Sequence, residues 1–572
     1  MLKKIYIILI TFIGFANFSY AQKISDEKFF KNEIPKEQVY LHINSSLLFS
    51  GEKLLYKFYC NTIEQNKLSE LSKVGWVLLV NSDKQIIFQH KLLLNNGQGY
   101  SDYFIPSNLA SGSYKLLGYT SWMLNAEQNY FEQDISILNP YQQENKGLIF
   151  EESSTVRTNQ KDLKTVSNSN LELKLNKQVF TTRDKVVLTV GNMNNIGNAV
   201  SISVRRLDSL NKPDRIKSIN YNELYQHSNW DFSNSLKFPE LRGSNIRGTV
   251  NLNDTSLINS KNIALSFPGD ESQLKIVSLD EKGAFNFTMN TDPSSDELLM
   301  QIIGDTTANY SIQLDTPPAP DFKLLNFKKP IIQNNFWDNI LVKSINIQID
   351  NAYSATKADN TIFNTDNGYF FDQELIKFNL DEYKRFPDVY QTFIEVIENG
   401  RIVKNGDGSQ SIMVRNKNTN GEFNLPALLI VDGIVLQNHD LLISYPSDKI
   451  QSIALIRSKY IFGPEIFQGV VVVETKTGDF PLELRENYIK SAKILPYQKD
   501  KEYYNPNYAK EQLQRIPDYR YQLLWSPQVI MDQKENNLSF YSSDLDGVFE
   551  INLEGFSKEG KPISISKTFE VR

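Results

Sequence analysis

From Val39 to the end of the chain, apolar residues fall mostly on every second position, in short runs that Gly, Asn and Pro interrupt. A period of two places successive side chains on opposite faces of a strand, and strands of this kind bury one face by stacking sheet on sheet. In VYLHINSSLLFSGEKLLYKFYC, Val39, Leu41 and Ile43 alternate with polar partners, and the alternation resumes from Leu55 after Gly51. It continues through GWVLLV (75–80), QIIFQHKLLL (85–94), a turn at NNGQG and SGSYKLLGYTSWMLN (111–125). Such spacing predicts a β-sandwich of about a hundred residues that ends near Pro140.

The same opening returns after a polar stretch at 141–170, which reads as linker. INSSLLFSGEK (43–53) and LNKQVFTTRDK (175–185) align without gaps, with Asn44 on Asn176, Leu47 on Val179, Ser50 on Thr182, Glu52 on Asp184 and Lys53 on Lys185. An alternating strand follows each copy, so a duplicated β-module is expected over 171–210 and on to about 240. NIRGTVNL (245–252), KNIALSF (261–267), LKIVSLDEKGAFNFTM (274–289) and ELLMQIIG (297–304) predict a third set of strands, with DEKG as a hairpin turn and TPPAP (316–320) as its end. Residues 317–379 form a connecting segment with a weaker pattern, part helical or extended. FPDVYQTFIEVI (386–397) is the clearest helix, and a separate C-terminal β-module is expected over 510–572.

At 572 residues the chain exceeds one hydrophobic core and calls for roughly three to five domains. A net charge of −6 argues against nucleic acid as a partner, because phosphate binding needs a basic field. Lys3 and Lys4, the apolar run Ile5 to Phe18 and the small residues Ser19 and Ala21 describe a secretory signal peptide over 1–21, with a signal anchor as the alternative. No other segment has the apolar length of a membrane helix, so the mature chain is expected to be exported and soluble, with no transmembrane segment. Cys60 is the only cysteine, which excludes an intramolecular disulfide. In YKFYCNT it alternates with aromatics, which favours a buried apolar role over a thiol nucleophile.

The sequence assigns no catalytic, cofactor-binding or metal-ligating residue. His42, His90, His227 and His439 are too far apart for a ligand pair, and HExxH, a nucleophile elbow and a phosphate loop are absent. SDLDG (543–547) lacks the further oxygen ligands of a calcium loop and reads as a hairpin turn. Trp76, Trp122, Trp230 and Trp525 are candidates for a carbohydrate or protein surface, against the simpler reading that they are core.

Three stretches resemble families found in secreted multidomain proteins of the Bacteroidetes. Residues 36–140, with KEQVYLHINSSLLFSGEKLLYKFY, IPSNLASGSYKLLGYTSWMLN and ILNP, resemble a macroglobulin-like (MG2-type) domain. Residues 245–316, with RGTV and DEKGAFNF, resemble a carboxypeptidase-regulatory-like sandwich. Residues 380–480 resemble the plug domain of TonB-dependent receptors through LPALLIVDGIVL (425–436), DKIQSIALIRSKYIFG (448–463) and FQGVVVVETKTGD (467–479). The fold class expected is mainly β: tandem immunoglobulin/macroglobulin-like β-sandwiches plus a small α+β plug-like domain. Within it, Asp432–Gly433 is a hairpin turn, and Gly463 and Gly469 permit tight turns on either side of PEIF. Cys60 precedes Asn61 and Thr62, not the Gly and Gln of a macroglobulin thioester, which removes protease-trap chemistry.

A receptor barrel of some twenty-two strands at about 10 residues each needs several hundred residues after the plug, and about ninety remain. The expectation is therefore a non-enzymatic exported scaffold, without cofactor, in the periplasm or associated with the outer membrane. Its plug-like domain would dock to an outer-membrane β-barrel protein or its assembly or secretion machinery. The alternative is a glycan- or peptide-binding protein in nutrient uptake.

Overall fold

The computed structural model describes residues 35–64, 67–142, 147–151, 171–191, 200–208, 210, 212–226, 228–232, 236–252, 261–268, 273–289, 296–307, 309–333, 336–362, 375–418, 425–480, 486–509, 513–529 and 535–572. The signal peptide, most of the linker and His227 lie outside them. The chain forms two compact units: one from residues up to 241, 318–362 and 498–572, the other from 242–317 and 363–497. Both are dominated by strands, so the fold class expected from alternation is the one observed.

The first unit opens with a sandwich. One sheet pairs Glu37–Ile43, Lys53–Thr62 and Gln98–Phe104; the other runs Leu47–Phe49, Phe131–Leu138, Gly112–Tyr119, Val74–Asn81 and Ile86–Leu93. The chain enters the first sheet and crosses to the second at Asn44–Ser46, where Leu47–Phe49 lies parallel to the last strand.

The aligned repeat folds the same way, position for position. Ile43 pairs with Tyr56 and Leu175 with Leu188; Lys53 pairs with Phe104 and Lys185 with Tyr541; Leu47 lies beside Ser136 and Val179 beside Glu570. Asn44 Oδ1 accepts from the Leu55 amide at 3.0 Å, and Asn176 Oδ1 from the Val187 amide at 2.9 Å. The repeated asparagine is the shared clamp between first and third strands.

The repeat is not, however, a module of 171–240, and 510–572 is not a separate C-terminal one. Glu172–Leu175 and Lys185–Gly191 share a sheet with Glu535–Tyr541, while Val179–Phe180, Pro562–Val571, Gly547–Phe556, Val200–Arg206 and Gln522–Ser526 form the other, in that order. Residues 171–206 supply only half the apolar faces a sandwich needs, and 522–571 supply the rest. Leu188, Val190, Ile202 and Val204 meet Phe540, Phe549, Ile551 and Phe569 in one core. The first sandwich turns from its Val74–Asn81 strand into Ile86–Leu93 through a tight turn closed by Asn81 and Gln85. At the matching point the second carries everything from 207 to 521.

Part of that insertion returns to the first unit as the helix Trp337–Ala352, whose buried positions are Ile340, Lys343, Ser344 and Ile347. Two polar residues in the buried stripe and the alternating INIQID hide its helical period, which is why the sequence over 317–379 gave a weak signal.

The second unit pairs Ala284–Met289, Ser244–Leu252 and Tyr310–Leu314 in one sheet, and Gln273–Ser278, Asn262–Phe267, Glu297–Ile302 and Lys490–Lys493 in the other. DEKG is therefore a corner and not a hairpin: Gly283 has φ 76° as expected, but the strands on either side of the turn belong to different sheets. SDLDG is likewise a corner, between Glu535–Tyr541 and Gly547–Phe556, and its Asp544 pairs with Arg183 at 2.6 Å.

The rest of the second unit folds as Leu375–Asn379, Ile450–Phe462, Glu465–Thr475, Leu428–Val431 and Ile434–Val435 in one mixed sheet, with the helix Val389–Glu395 started by the Asp388 carboxylate accepting from the Gln391 amide at 2.8 Å.

If the second sandwich depends on its two halves, a chain ending at Pro517 loses hydrogen-exchange protection across Lys185–Gly191 and Val200–Arg206, although neither strand is altered. Retained protection there would show that 171–206 folds without 522–571.

Candidate functional site

Inside the first unit, the ends of the inserted stretches meet the first sandwich around a cleft of about 190 Å³. Gly51–Lys53 comes from the first sandwich, Arg205 from the strand just before the insertion, and Ile347 to Asp359 from the long helix and its continuation. Tyr503–Tyr504 and Tyr519–Trp525 come from the returning chain. The site thus exists only where the split sandwich is closed.

Charges at the cleft answer one another. Glu52 takes Arg205 at 2.6 Å and Lys343 at 3.6 Å, and Lys343 reaches Asp208 at 3.0 Å. Lys343 also lies 4.3 Å from the ring of Phe49 and 4.8 Å from that of Tyr521, so the helix is anchored through a buried ammonium with two carboxylates and two π faces. Burial works to raise the Asp208 carboxyl, but Lys343 and Arg205 overcome it and hold it below the ordinary range. On the other wall Arg520 grips Asp518 through Nε at 2.7 Å and Nη2 at 2.8 Å, Lys357 pairs with Asp350, and Lys53 with Asp359. Burial likewise opposes the ionised Asp518, and Arg520 keeps it charged.

Among the described residues the histidines have structural partners, His42 and His439 buried and His90 half-buried. His42 Nδ1 lies 2.6 Å from Ser201 Oγ, its ring 5.1 Å from that of Trp525, and burial with nearby Arg215 lowers its pKa to about 3. His90 Nδ1 meets the Tyr56 hydroxyl at 2.7 Å, and burial with Lys501 lowers it to about 3. His439 Nδ1 accepts the Ile412 amide at 3.0 Å and is lowered by burial to about 4. Cys60 is buried and its thiol pushed up, first by that burial and then by Glu37. Among the described residues no group of three metal-ligating side chains comes together.

Of the four tryptophans singled out, three serve packing. Trp76 donates to Glu240 at 3.3 Å, and Trp122, whose Nε1 donates to the Pro35 carbonyl at 3.0 Å, packs with Trp230 and Phe232. Trp525 is the one that lines the cleft, at 5% exposure. Sequence had no signal for the tyrosines beside it, since 503–504 and 519–521 reach the site only through the insertion.

In the second unit, Asp432 (φ 46°) and Gly433 (φ 83°) make the expected two-residue hairpin, and the Asp432 carboxylate accepts from the Thr475 amide at 2.8 Å and its hydroxyl at 2.6 Å. Gly469 does not make a turn: it sits at φ 93° where the register between Ile450–Phe462 and Glu465–Thr475 shifts, and a Cβ there would lie 2.8 Å from Val414.

The valine run that follows is buried on both sides. Val471 and Val473 join Phe393, Leu429 and Leu455 in one core; Val470 and Val472 join Ala264, Ile276 and Ile430 in another, against the unit's own sandwich.

No protein-family model matches the chain, and no curated protein matches it. Among solved structures it is similar to the Salmonella alpha-2-macroglobulin mutant Y1175G, at 8% identity and a TM-score of 0.24 over 96% of this chain and 40% of that one. The trypsin-activated alpha-2-macroglobulin of Escherichia coli gives 9% and 0.23 over 94% and 41%, and the native conformation of the E. coli protein 11% and 0.24 over 95% and 40%. The chain thus spans about two fifths of the length of these macroglobulins.

Two outcomes follow from the buried charges. Glu52→Gln leaves Arg205 and Lys343 short of a carboxylate and should cost about 3–5 kcal/mol in denaturant unfolding. Unfolding returns each histidine to about 6.5. Below that pH the unfolded chain binds protons that the folded chain refuses, so the stability present above pH 6.5 is lost as pH falls toward 4. The melting temperature should fall between pH 6.5 and 5, before ordinary carboxylates titrate, and His90→Gln should flatten that slope.

Proposed function

We propose that the chain is a non-enzymatic exported scaffold whose plug-like domain docks to an outer-membrane β-barrel protein or its assembly or secretion machinery, from the periplasm or at the outer membrane. Export rests on Lys3, Lys4, the apolar run Ile5 to Phe18 and the small residues before Gln22. A non-enzymatic role is supported by His42, His90, His439 and Cys60, whose pKa values burial moves away from neutrality.

The observation that carries the docking reading is the double burial of Val470–Val473. One face of the plug-like sheet is occupied by the unit's own sandwich, so contact with a partner is left to the opposite, helix-bearing side. There Val389–Glu395 turns Val389 and Phe393 inward and leaves Tyr390 at 41% and Ile394 at 63% exposure. Apolar side chains on an outward helical face suit a protein partner. A second reading, a glycan- or peptide-binding protein in nutrient uptake, is supported by the aromatic cleft of the first unit.

Affinity purification of the full chain from detergent-solubilised envelopes should recover an outer-membrane barrel protein, and Tyr390→Asp with Ile394→Asp should reduce that recovery at least tenfold with the fold intact. Intact bait without any barrel protein overturns the docking reading.

A further inference from the structure

The cleft of the first unit carries ionised groups on every wall, and yet it has no charge to offer. Its three carboxylates, Glu52, Asp350 and Asp359, face Arg205, Lys357 and Lys53. The fourth lining cation, Arg520, is answered by Asp518 behind the wall. A charged ligand would have to displace a partner from one of these pairs, and at Arg205–Glu52 and Arg520–Asp518 that would leave a buried charge unpaired, which is costly. The cleft therefore selects for a neutral molecule.

Two further features narrow its class. The cleft is lined by Tyr503, Tyr504, Tyr519 and Trp525 together with the paired carboxylates, ammonium and guanidinium groups. At the cleft the Gly51 carbonyl accepts from Asn351 at 3.0 Å and the Leu523 carbonyl from Arg520 at 3.1 Å, while Gln522–Ser526 pairs along Val200–Arg206 on one side and ends its sheet on the other. A sugar ring needs what is present: apolar faces for its C–H surface and interleaved donors and acceptors for hydroxyls that do both.

Trp525 lines the cleft at 5% exposure, and its Nε1 is closed to solvent, so what it offers a ligand is its ring.

We infer that this cleft binds a neutral saccharide, one ring held among Trp525, the cleft tyrosines and the paired charges. The inference rests on the second reading above, and is independent of barrel docking.

The test is saturation-transfer NMR and calorimetry on the full chain with maltose, cellobiose, xylobiose and N,N′-diacetylchitobiose, with digalacturonate as anionic probe and Gly-Tyr amide as peptide probe. At least one neutral disaccharide should bind saturably, and Tyr504→Ala, which removes one aromatic wall of the cleft, should weaken it at least tenfold. Phe104→Ala, on the exposed rim, should weaken the same sugar while leaving the melting temperature unchanged, which separates lost binding from lost folding. Tighter binding of digalacturonate, or sugar binding untouched by both variants, overturns the assignment. Binding of the peptide in place of every sugar overturns the saccharide while sparing the small-ligand reading, and binding of no probe overturns both.

Discussion

The split sandwich of the first unit, and the cleft at its seam, depend on one strand, Val200–Arg206, paired antiparallel with Gly547–Phe556 on one side and Gln522–Ser526 on the other. Ile202 faces Leu553 and Ser526, and Val204 faces Ile551 and Leu524, so a single strand from the first half is flanked by two from the second. The entropic cost of holding so long an insertion is smaller than its length suggests. Loop closure grows with the logarithm of length, and going from a tight turn to residues 207–521 is roughly six doublings, or about 4 kcal/mol. Burial of the facing side chains, at about 1.5–3 kcal/mol for each large apolar one, readily offsets that.

The pairing also explains what could be read in advance. Repetition of INSSLLFSGEK as LNKQVFTTRDK predicted a second module; what the two copies share in the structure is a register, with Asn44 and Asn176 making the same bond to the third strand. What could not be read was the partner. Alternation tells a strand which face is apolar but not which strand will cover it, so 171–206 and 522–571 looked like two modules with one half-core each. The corners at DEKG and SDLDG were misread for a related reason, since a tight turn between alternating runs looks the same whether the next strand pairs or crosses to the other sheet. The helix Trp337–Ala352 failed differently: Lys343 occupies a core position because Glu52, Asp208, Phe49 and Tyr521 wait for it, and none of those is near it in sequence.

The four valines at 470–473 are a case where composition already held the answer. A strand with one face in water alternates; a strand covered on both faces need not. The run is continuous because Val471 and Val473 meet the helices while Val470 and Val472 meet the sandwich. Leu428–Val431 beside it divides in the same way, Leu429 and Val431 to one core and Leu428 and Ile430 to the other. A sheet committed on both sides is rigid support, and Asp432 adds to this by tying its hairpin to Thr475 at the end of the valine strand.

The cleft is legible in the structure and not in the sequence because its parts are ordinary when taken singly. Glu52 and Lys53 read as a turn, Tyr503 and Tyr504 as aromatics in a loop, Trp525 as a strand residue. Closing the split sandwich places them together, and the closure demands that their charges cancel, since unpaired ions could not be tolerated where the halves meet. The neutrality of the site is thus a consequence of how the fold is assembled. A binding site made at such a seam inherits the seam's chemistry, fixed pairs and aromatic walls, and that inheritance decides which ligands it can accept.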